Sequence, residues 1–329
     1  MPRFAGVNLG SRWGLSSDVE LTSPRFCRDM AEKGMAILFT PTIAVRDPLS
    51  GGVNRAFMRF HLISSGELGV AALTRPLSSS VDEVAELLNS VNNEVKKVLS
   101  IAAGTFGEAL ELLEKFRGEV DAVELDVGLS RMLAGKAGKG LAYVTELARE
   151  LHNVLEVPLI LKLTAMSAGL IDLHALADEA GASALTLTPN VVYRVGDHYF
   201  RLHSPLVSSA ALLNAIEPLS EVGVDVAYVI RGDEGRWGEA ADIFPLKLYD
   251  VTLMLRWLGF KERREGGPVP LRWRSVDRRL KIVASKGARY CPYGLISGEG
   301  VVEKCNYCGV CLELNPPGVV RLAAILRPE

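Results

Sequence analysis

The stretch Val157-Pro-Leu-Ile-Leu-Lys-Leu163 is apolar on both faces of an extended chain until it reaches Lys162. Strands with this pattern lie buried in parallel sheets, between helices or packed side chains. Lys162 stands near the C-terminal end of the predicted strand, which is the end where α/β proteins bind their ligands. The stretch therefore predicts an α/β fold with a candidate functional residue at Lys162.

Around this strand, short apolar runs alternate with amphipathic helical stretches from Met35 to about Gly259. We predict strands at 98–103, 120–127, 184–188 and 224–230, and helices at 81–98, 106–116, 141–155 and 170–180. Roughly six or seven such units in about 225 residues favour a (β/α)8 TIM barrel. A doubly wound open sheet is the alternative. No Gly-x-Gly-x-x-Gly follows any predicted strand, which argues against a dinucleotide-binding sheet.

The composition is that of a folded protein, because 48% of the 329 residues are hydrophobic and 23% are charged. A net charge of −2 gives no reason to expect a nucleic-acid partner. No apolar run reaches the roughly 18–20 residues that cross a bilayer, and residues 1–15 lack a signal-peptide pattern. We therefore expect a cytoplasmic protein without a membrane partner. The absence of glutamine suggests a thermophilic source, with compositional drift as the alternative.

The composition changes at Lys261, where a charged stretch is followed by a Gly/Pro-rich one and reads as a linker. We predict a barrel over residues 1–260, and a linker with a small C-terminal iron–sulfur segment over 261–329. The residues after the linker are too few for an independent hydrophobic core. A metal cluster would supply the missing stability.

Four of the five cysteines lie within residues 291–311. In a reducing cytosol, such a group indicates a metal rather than disulfides. Cys305-Asn-Tyr-Cys308-Gly-Val-Cys311 has the Cys-x2-Cys-x2-Cys spacing, whose thiolates ligate three irons of a cubane cluster. Cys291, which precedes Pro292, can act as the remote fourth ligand. We therefore predict one [4Fe–4S] cluster bound by Cys291, Cys305, Cys308 and Cys311.

A second cluster is not expected. In bacterial ferredoxins the next cysteine of the run precedes a proline and serves the other cluster, but here Asn315 precedes Pro316. Two alternatives stay open for the four cysteines: a zinc site, which usually has two separated Cys-x2-Cys pairs, or no metal. The lone Cys27, in a helix predicted over 24–33, is interpreted as a packing residue.

The middle of the chain resembles the dihydroorotate dehydrogenases, which are FMN-binding (β/α)8 barrels. The resemblance covers roughly residues 30–255 and is carried by four stretches: Ser100-Ile-Ala-Ala-Gly104, Val123-Glu-Leu-Asp-Val127, Pro158-Leu-Ile-Leu-Lys-Leu163 and Gly181-Ala-Ser-Ala-Leu-Thr-Leu187. The family fuses or pairs with ferredoxin-like modules. The C-terminal half of dihydropyrimidine dehydrogenase has the same order of parts. The resemblance thus implies a flavin-linked redox barrel next to the predicted cluster.

The resemblance also implies site residues. Lys162 matches the family lysine that contacts the flavin ring, and its ammonium would stabilise charge on a reduced flavin. Alternatively, Lys162 pairs with Asp126 or Glu124 on a neighbouring strand. Asn190 echoes the family's Asn after the sixth strand, and Arg231 is a candidate for holding the FMN phosphate. A solvated loop is the alternative for Arg231.

Several family motifs are altered. The family's Glu-Leu-Asn-x-Ser-Cys-Pro-Asn reads Glu-Leu-Asp-Val-Gly-Leu-Ser-Arg at 124–131. Asp126 thus replaces a substrate-contacting Asn, and Leu129 replaces the catalytic base. A leucine cannot take a proton, so Ser130 is the remaining candidate for this role. The Gly-Gly pairs that hold the FMN phosphate through backbone N–H groups are missing from this sequence.

We expect a redox protein of this type that acts as an oligomer and relays electrons with a partner protein or a catalytic paralogue. The alternative is a non-catalytic paralogue that serves as a binding or assembly protein, with a structural cluster. A third option is an RNA-associated protein, because flavin barrels also occur among tRNA dihydrouridine synthases. The near-neutral net charge disfavours that option.

Overall fold

Strands and helices alternate along the chain in a computed structural model, which describes residues 2–17, 24–45, 59–63, 70–74, 80–136, 141–165, 172–188, 191–195, 198–203, 223–230, 246–249, 280–286, 288, 295–296, 299–302 and 319–324. In chain order the elements are β1 (Arg3–Phe4), β2 (Val7–Asn8), β3 (Trp13–Leu15), α1 (Pro24–Glu32), β4 (Ile37–Phe39), β5 (Arg59–Ile63), β6 (Val70–Thr74), α2 (Val81–Ser90), β7 (Lys96–Ile101), α3 (Phe106–Glu114), β8 (Ala122–Asp126), α4 (Val127–Lys136), α5 (Leu141–Val154), β9 (Leu159–Thr164), α6 (Leu173–Ala180), β10 (Ala184–Thr188), β11 (Val191–Val195), β12 (His198–His203), β13 (Asp225–Ile230), β14 (Leu246–Tyr249), β15 (Leu280–Ala284), β16 (Gly300–Val301) and β17 (Val320–Ala324).

Eight of these strands form a closed barrel in the order β3, β4, β7, β8, β9, β10, β13 and β14. Each strand pairs in parallel with the next, and β14 pairs with β3 to close the ring. Parallel strands that follow one another around a closed ring define the (β/α)8 architecture. The predicted barrel is therefore confirmed. The doubly wound alternative is excluded, because an open sheet would leave two strand edges unpaired.

Side chains alternate between two apolar layers along each barrel strand. In β8, Val123 and Leu125 pack in the cluster that also includes Ala109 and Leu112 of α3. Ala122 belongs instead to the cluster that fills the barrel interior. Glu124 and Asp126 share the interior face with Ala122, because the side-chain period of a strand is two residues. The interior of this strand is thus apolar where the strand begins and acidic toward its C-terminal end.

A short hairpin formed by β1 and β2 covers the end of the barrel at which the strands begin. Phe4, Ala5 and Leu9 pack in the interior cluster, and the Phe4 ring lies 6.5 Å from the Phe39 ring between centroids. The Ala5 N–H donates to Oδ2 of Asp225, the first residue of β13, at 2.9 Å. This end of the barrel is therefore closed by apolar packing, which leaves the polar interior residues toward the opposite end.

Two predicted helices have different limits in the structure. α2 ends at Ser90 rather than continuing to 98, because Val91 is extended and Oδ1 of Asn92 accepts hydrogen bonds from the next turn. α6 begins at Leu173 rather than 170, because Asp172 has an extended backbone and caps the helix. Gly181 ends α6 in the left-handed conformation, as predicted.

The chain divides into two units. The first comprises Met1–Ser50, Pro76–Val191 and Pro205–Asp250, and it contains the barrel. The second comprises Gly51–Arg75, Val192–Ser204 and Val251–Glu329, and thus includes two segments that the sequence pattern did not set apart. The predicted boundary between residues 260 and 261 stays a prediction.

The second unit contains strands of two further sheets. One has the order β11-β12-β6-β5, with antiparallel pairing of β6 to both β5 and β12. The other has the order β16-β15-β17 and is antiparallel. A small cluster forms around Ala284, Val302 and Val320. Across the described parts of both units, no helix combines the length and apolar character needed to span a membrane.

Candidate functional site

An ion pair lies inside the barrel, toward the C-terminal ends of two neighbouring strands. Asp126 of β8 and Lys162 of β9 are register partners, and Lys162 Nζ lies 3.1 Å from Asp126 Oδ2. The side chains are only 3% and 11% exposed for Lys162 and Asp126, respectively. Of the two partners proposed for Lys162 from the sequence, Asp126 is therefore the one in direct contact. The catalytic and flavin-binding roles predicted for these residues stay predictions.

Asp126 also anchors the helix that follows it. Its Oδ1 accepts a hydrogen bond from the Leu129 N–H at 2.9 Å, at the first turn of α4. A carboxylate at a helix N-terminus is stabilised by the unpaired N–H groups and by the helix dipole. One carboxylate therefore balances both the Lys162 ammonium and the start of α4. The Leu129 side chain, at the position of the family's catalytic base, is buried.

Ser130 is fully buried, and its hydroxyl is engaged with the backbone. Its Oγ accepts a hydrogen bond from the Ala103 N–H at 3.1 Å, just after β7 ends. This bond connects α4 to the chain that leaves the neighbouring strand. The observed contact is a structural one, and the proton-transfer role predicted for Ser130 stays a prediction.

A second carboxyl group, Glu124, lies deeper in the barrel within a network of hydroxyl groups. Its Oε1 accepts hydrogen bonds from Ser17 Oγ and, at 2.7 Å, from Ser100 Oγ. Ser100 Oγ also lies 2.9 Å from Thr42 Oγ1, and the Ser100 N–H donates to Thr40 Oγ1 at 3.0 Å. The network thus joins residues in and after β3, β4, β7 and β8, which are four consecutive strands of the ring.

The environment of Glu124 favours its neutral form. Burial raises the pKa of this carboxyl above its ordinary value of 4.5, and nearby Asp126 raises it further. Lys162 and the hydrogen bonds from Ser17 and Ser100 act in the opposite direction, but burial has the largest effect. Oε2 of Glu124 has no hydrogen-bond partner. The barrel therefore contains a buried carboxyl with one oxygen available to a further group.

Sequence reasoning named Glu124 only as an alternative partner of Lys162, and it did not single out the hydroxyl groups. Ser17 and Thr40 directly follow or nearly follow strands of three residues, which carry little periodic signal. Ser100 was visible as a polar residue inside an apolar strand. A polar residue at a position that a buried strand normally fills with an apolar one is the signal that identifies such a network.

The remaining predicted site residues lie outside the described residues. These are Asn190, Arg231 and the four cysteines of the predicted cluster, Cys291, Cys305, Cys308 and Cys311. Within the part of the chain that the structure describes, no group of three or more His, Cys, Asp or Glu residues forms a metal site. Cys27 is buried in α1, and burial raises its pKa to about 12. Its interpretation as a packing residue is confirmed.

Comparison with known proteins gives two similar solved structures. A lactate oxidase from Pediococcus acidilactici has 13% sequence identity and a TM-score of 0.47, with 79% of this chain and 69% of the other covered. An HpcH/HpaI aldolase from Desulfitobacterium hafniense has 13% identity and a TM-score of 0.41, with 75% and 89% covered. No protein-family model and no curated protein matches the chain. TM-scores below 0.5 do not establish a shared fold, so the barrel assignment rests on the strand pairings alone.

Proposed function

We propose that this protein is a redox protein of the dihydroorotate dehydrogenase type that carries one [4Fe–4S] cluster and passes electrons to or from a partner protein. In this role the chain is an electron-transferring or partner subunit, working with a catalytic paralogue rather than as a stand-alone dehydrogenase. The proposal combines the eight-stranded parallel barrel with the four-cysteine set of the sequence.

The observation that carries the partner role is the environment of Leu129. This residue occupies the position that the family fills with a proton-accepting Cys or Ser, and it is buried with its N–H bonded to Asp126. Neighbouring Ser130 is turned toward the Ala103 N–H. Abstraction of a substrate proton needs a positioned base, and neither residue is arranged as one. The geometry thus supports a barrel that does not oxidise dihydroorotate alone.

The donor chemistry supports the cluster. Cys305, Cys308 and Cys311 have the spacing that binds three irons of a cubane, and Cys291 can complete the set. When bound, a [4Fe–4S] cluster accepts and donates single electrons. We propose that these thiolates also hold the C-terminal segment in its fold, because metal binding supplies folding free energy to small segments.

The described residues support an FMN site only at Lys162. The ammonium of Lys162 already faces the Asp126 carboxylate at 3.1 Å, which reduces its capacity to stabilise negative charge on a flavin. The sequence also lacks the Gly-Gly pairs of the family's phosphate site, and a role for Asn190 and Arg231 in holding FMN is a proposal. We therefore propose electron transfer through the cysteine-bound cluster without a flavin reaction in this barrel.

The test is a metal, sulfide and flavin analysis of the full chain, purified without oxygen. The proposal expects a brown protein with about four iron and four sulfide per chain. It also expects reversible bleaching of the visible absorbance by dithionite, and no stoichiometric flavin. Stoichiometric zinc without visible absorbance would overturn the proposal.

A second candidate function is a binding or assembly protein with a structural cluster. The buried Leu129 and the saturated contacts of Asp126 favour it as well, because neither requires electron transfer. The dithionite experiment separates the two functions. A cluster that is present but does not bleach reversibly supports the assembly role, whereas reversible reduction supports the redox role.

A further inference from the structure

Among the residues that the structure describes, four buried side-chain oxygens have no hydrogen-bond partner and do not belong to the satisfied part of the Glu124 network. They are Ser16 Oγ, Glu124 Oε2, Thr164 Oγ1 and Thr186 Oγ1. Buried polar atoms in folded proteins are hydrogen-bonded in the large majority of cases. Several such atoms in one barrel therefore indicate that a polar molecule completes them.

Three of these oxygens belong to consecutive barrel strands. Glu124 lies on β8, Thr164 on β9 and Thr186 on β10. Thr186 is the register partner of Lys162, two residues before Thr164, so both threonines share the interior face with that lysine. Ser16 adjoins Ser17, which donates to Glu124. We call Glu124, Thr164 and Thr186 the oxygen band.

The oxygen band is rich in hydrogen-bond donors. Oε1 of Glu124 already accepts two hydrogen bonds, so the proton of the neutral carboxyl is placed on the unpartnered Oε2. The two threonine hydroxyls can also donate. The band surrounds an ion pair of no net charge, Lys162 with Asp126. This arrangement suits a ligand that presents acceptor oxygens.

Charge and space narrow the class of ligand. A metal cation is disfavoured, because the Lys162 ammonium already lies among these groups. A dianion such as phosphate is disfavoured as well, since Asp126 balances that single ammonium. An eight-stranded barrel leaves room for its own side chains or one small ligand, and here the end at which the strands begin is closed by Phe4 and Phe39.

We infer that the oxygen band binds a small monocarboxylate inside the barrel, which accepts hydrogen bonds from Glu124, Thr164 and Thr186. A carboxylate offers two acceptor oxygens, and hydrogen bonds to an ionised acceptor are the stronger kind. The site is new relative to the proposed electron transfer and does not depend on the cysteine segment. It requires only the barrel, whose strands are described.

The test is a calorimetric titration of the dialysed full chain with sodium acetate and sodium propionate, at constant ionic strength in chloride buffer. Saturable binding of these carboxylates is expected, with no comparable binding of sodium phosphate. Thr186→Val removes one donor at nearly constant volume and should weaken acetate binding about tenfold or more. Thr164→Val is the second variant, in case the first does not fold.

Two further variants control the experiment. Ser90→Ala removes a hydroxyl that bonds the Leu87 carbonyl at the end of α2, and it should leave acetate affinity unchanged. Glu124→Gln should retain affinity within about threefold, because the amide donates where the neutral acid does. Absence of saturable acetate binding, or wild-type affinity in both threonine variants, overturns the inference. So does a crystal structure grown with acetate in which only water contacts the band.

Discussion

Asp126 and Lys162, side by side on β8 and β9, form a 3.1 Å ion pair in the barrel interior, and the same carboxylate caps α4 through the Leu129 N–H. The pair occupies the place where the resemblance predicts a flavin-contacting lysine and a substrate-contacting side chain. In this chain the two groups satisfy each other. This arrangement is consistent with a barrel that retains the scaffold of a flavin enzyme while its own residues fill part of the site.

Breaking the pair should destabilise the barrel. Lys162→Met and Asp126→Asn should each lower the free energy of unfolding by about 3–5 kcal/mol, because each leaves a buried charge without its partner. The Asn retains an acceptor for the Leu129 N–H, so the cap is preserved. The double variant should be less destabilised than the sum of the two by about 1–3 kcal/mol in urea unfolding. Strict additivity would show that the two charges are not coupled.

Glu124→Gln should change the pH dependence of stability. The pKa of Glu124 is raised in the folded state, so the folded protein binds this proton more tightly than the unfolded chain does. The contribution is present below the ordinary value of 4.5 and is lost as pH rises toward the folded-state pKa. Glutamine mimics the neutral acid and has no such loss.

The measurement is the difference in unfolding free energy between Glu124→Gln and the wild type from pH 5 to pH 8. That difference should move in favour of the variant as pH rises, by at most about 1.4 kcal/mol per pH unit. Other titrating groups cancel in the difference. A difference that does not vary with pH would show that Glu124 has an ordinary pKa in the folded state.

Ser130→Ala should cost stability. It leaves the buried Ala103 N–H without its acceptor, which corresponds to about 1–3 kcal/mol of unfolding free energy. The matched control is Ser90→Ala, whose hydroxyl is only partly buried and should cost less. An unchanged unfolding midpoint in Ser130→Ala would contradict the structural role assigned to this hydroxyl.

Gly181→Ala should disrupt the end of α6. The residue has φ +67°, and an added Cβ would lie 2.5 Å from the His152 ring. Gly118→Ala is the control, because Gly118 has φ +76° and an added Cβ would meet nothing within 4 Å. The control should cost about 1–2 kcal/mol of thermal stability, and Gly181→Ala more.

Combining Gly181→Ala with His152→Ala separates the two causes. The double variant should return to the cost of the control, once the cost of His152→Ala alone is subtracted. If Gly181→Ala alone costs no more than Gly118→Ala, the His152 contact carries no energetic weight.

Sequence alone predicted the barrel because most of its strands are buried on both faces and alternate with amphipathic helices. It did not predict β3 or β14, which have three and four residues and too little pattern to be recognised. The end of α2 was wrong for a different reason. Val91 and Val95 continue the helical spacing by chance, while Asn92 turns the chain.

The site was predictable only in part. The charged ends of the strands at 120–127 and 157–163 were evident, but whether Asp126 or Glu124 meets Lys162 depends on the register of β8 and β9. The bond from Ser17 to Glu124 spans 107 residues and exists only because the barrel closes. No local pattern contains such a contact. The iron–sulfur prediction depends on cysteine spacing alone.

The central claim is that Cys291, Cys305, Cys308 and Cys311 carry a redox-active [4Fe–4S] cluster. Its most direct test is electron paramagnetic resonance of the anaerobically purified full chain, before and after dithionite, beside Cys308→Ser. We predict a silent oxidised protein and a signal of about one spin per chain on reduction, lost or strongly diminished in the variant. An absence of signal in both states, with zinc in place of iron, would contradict the account.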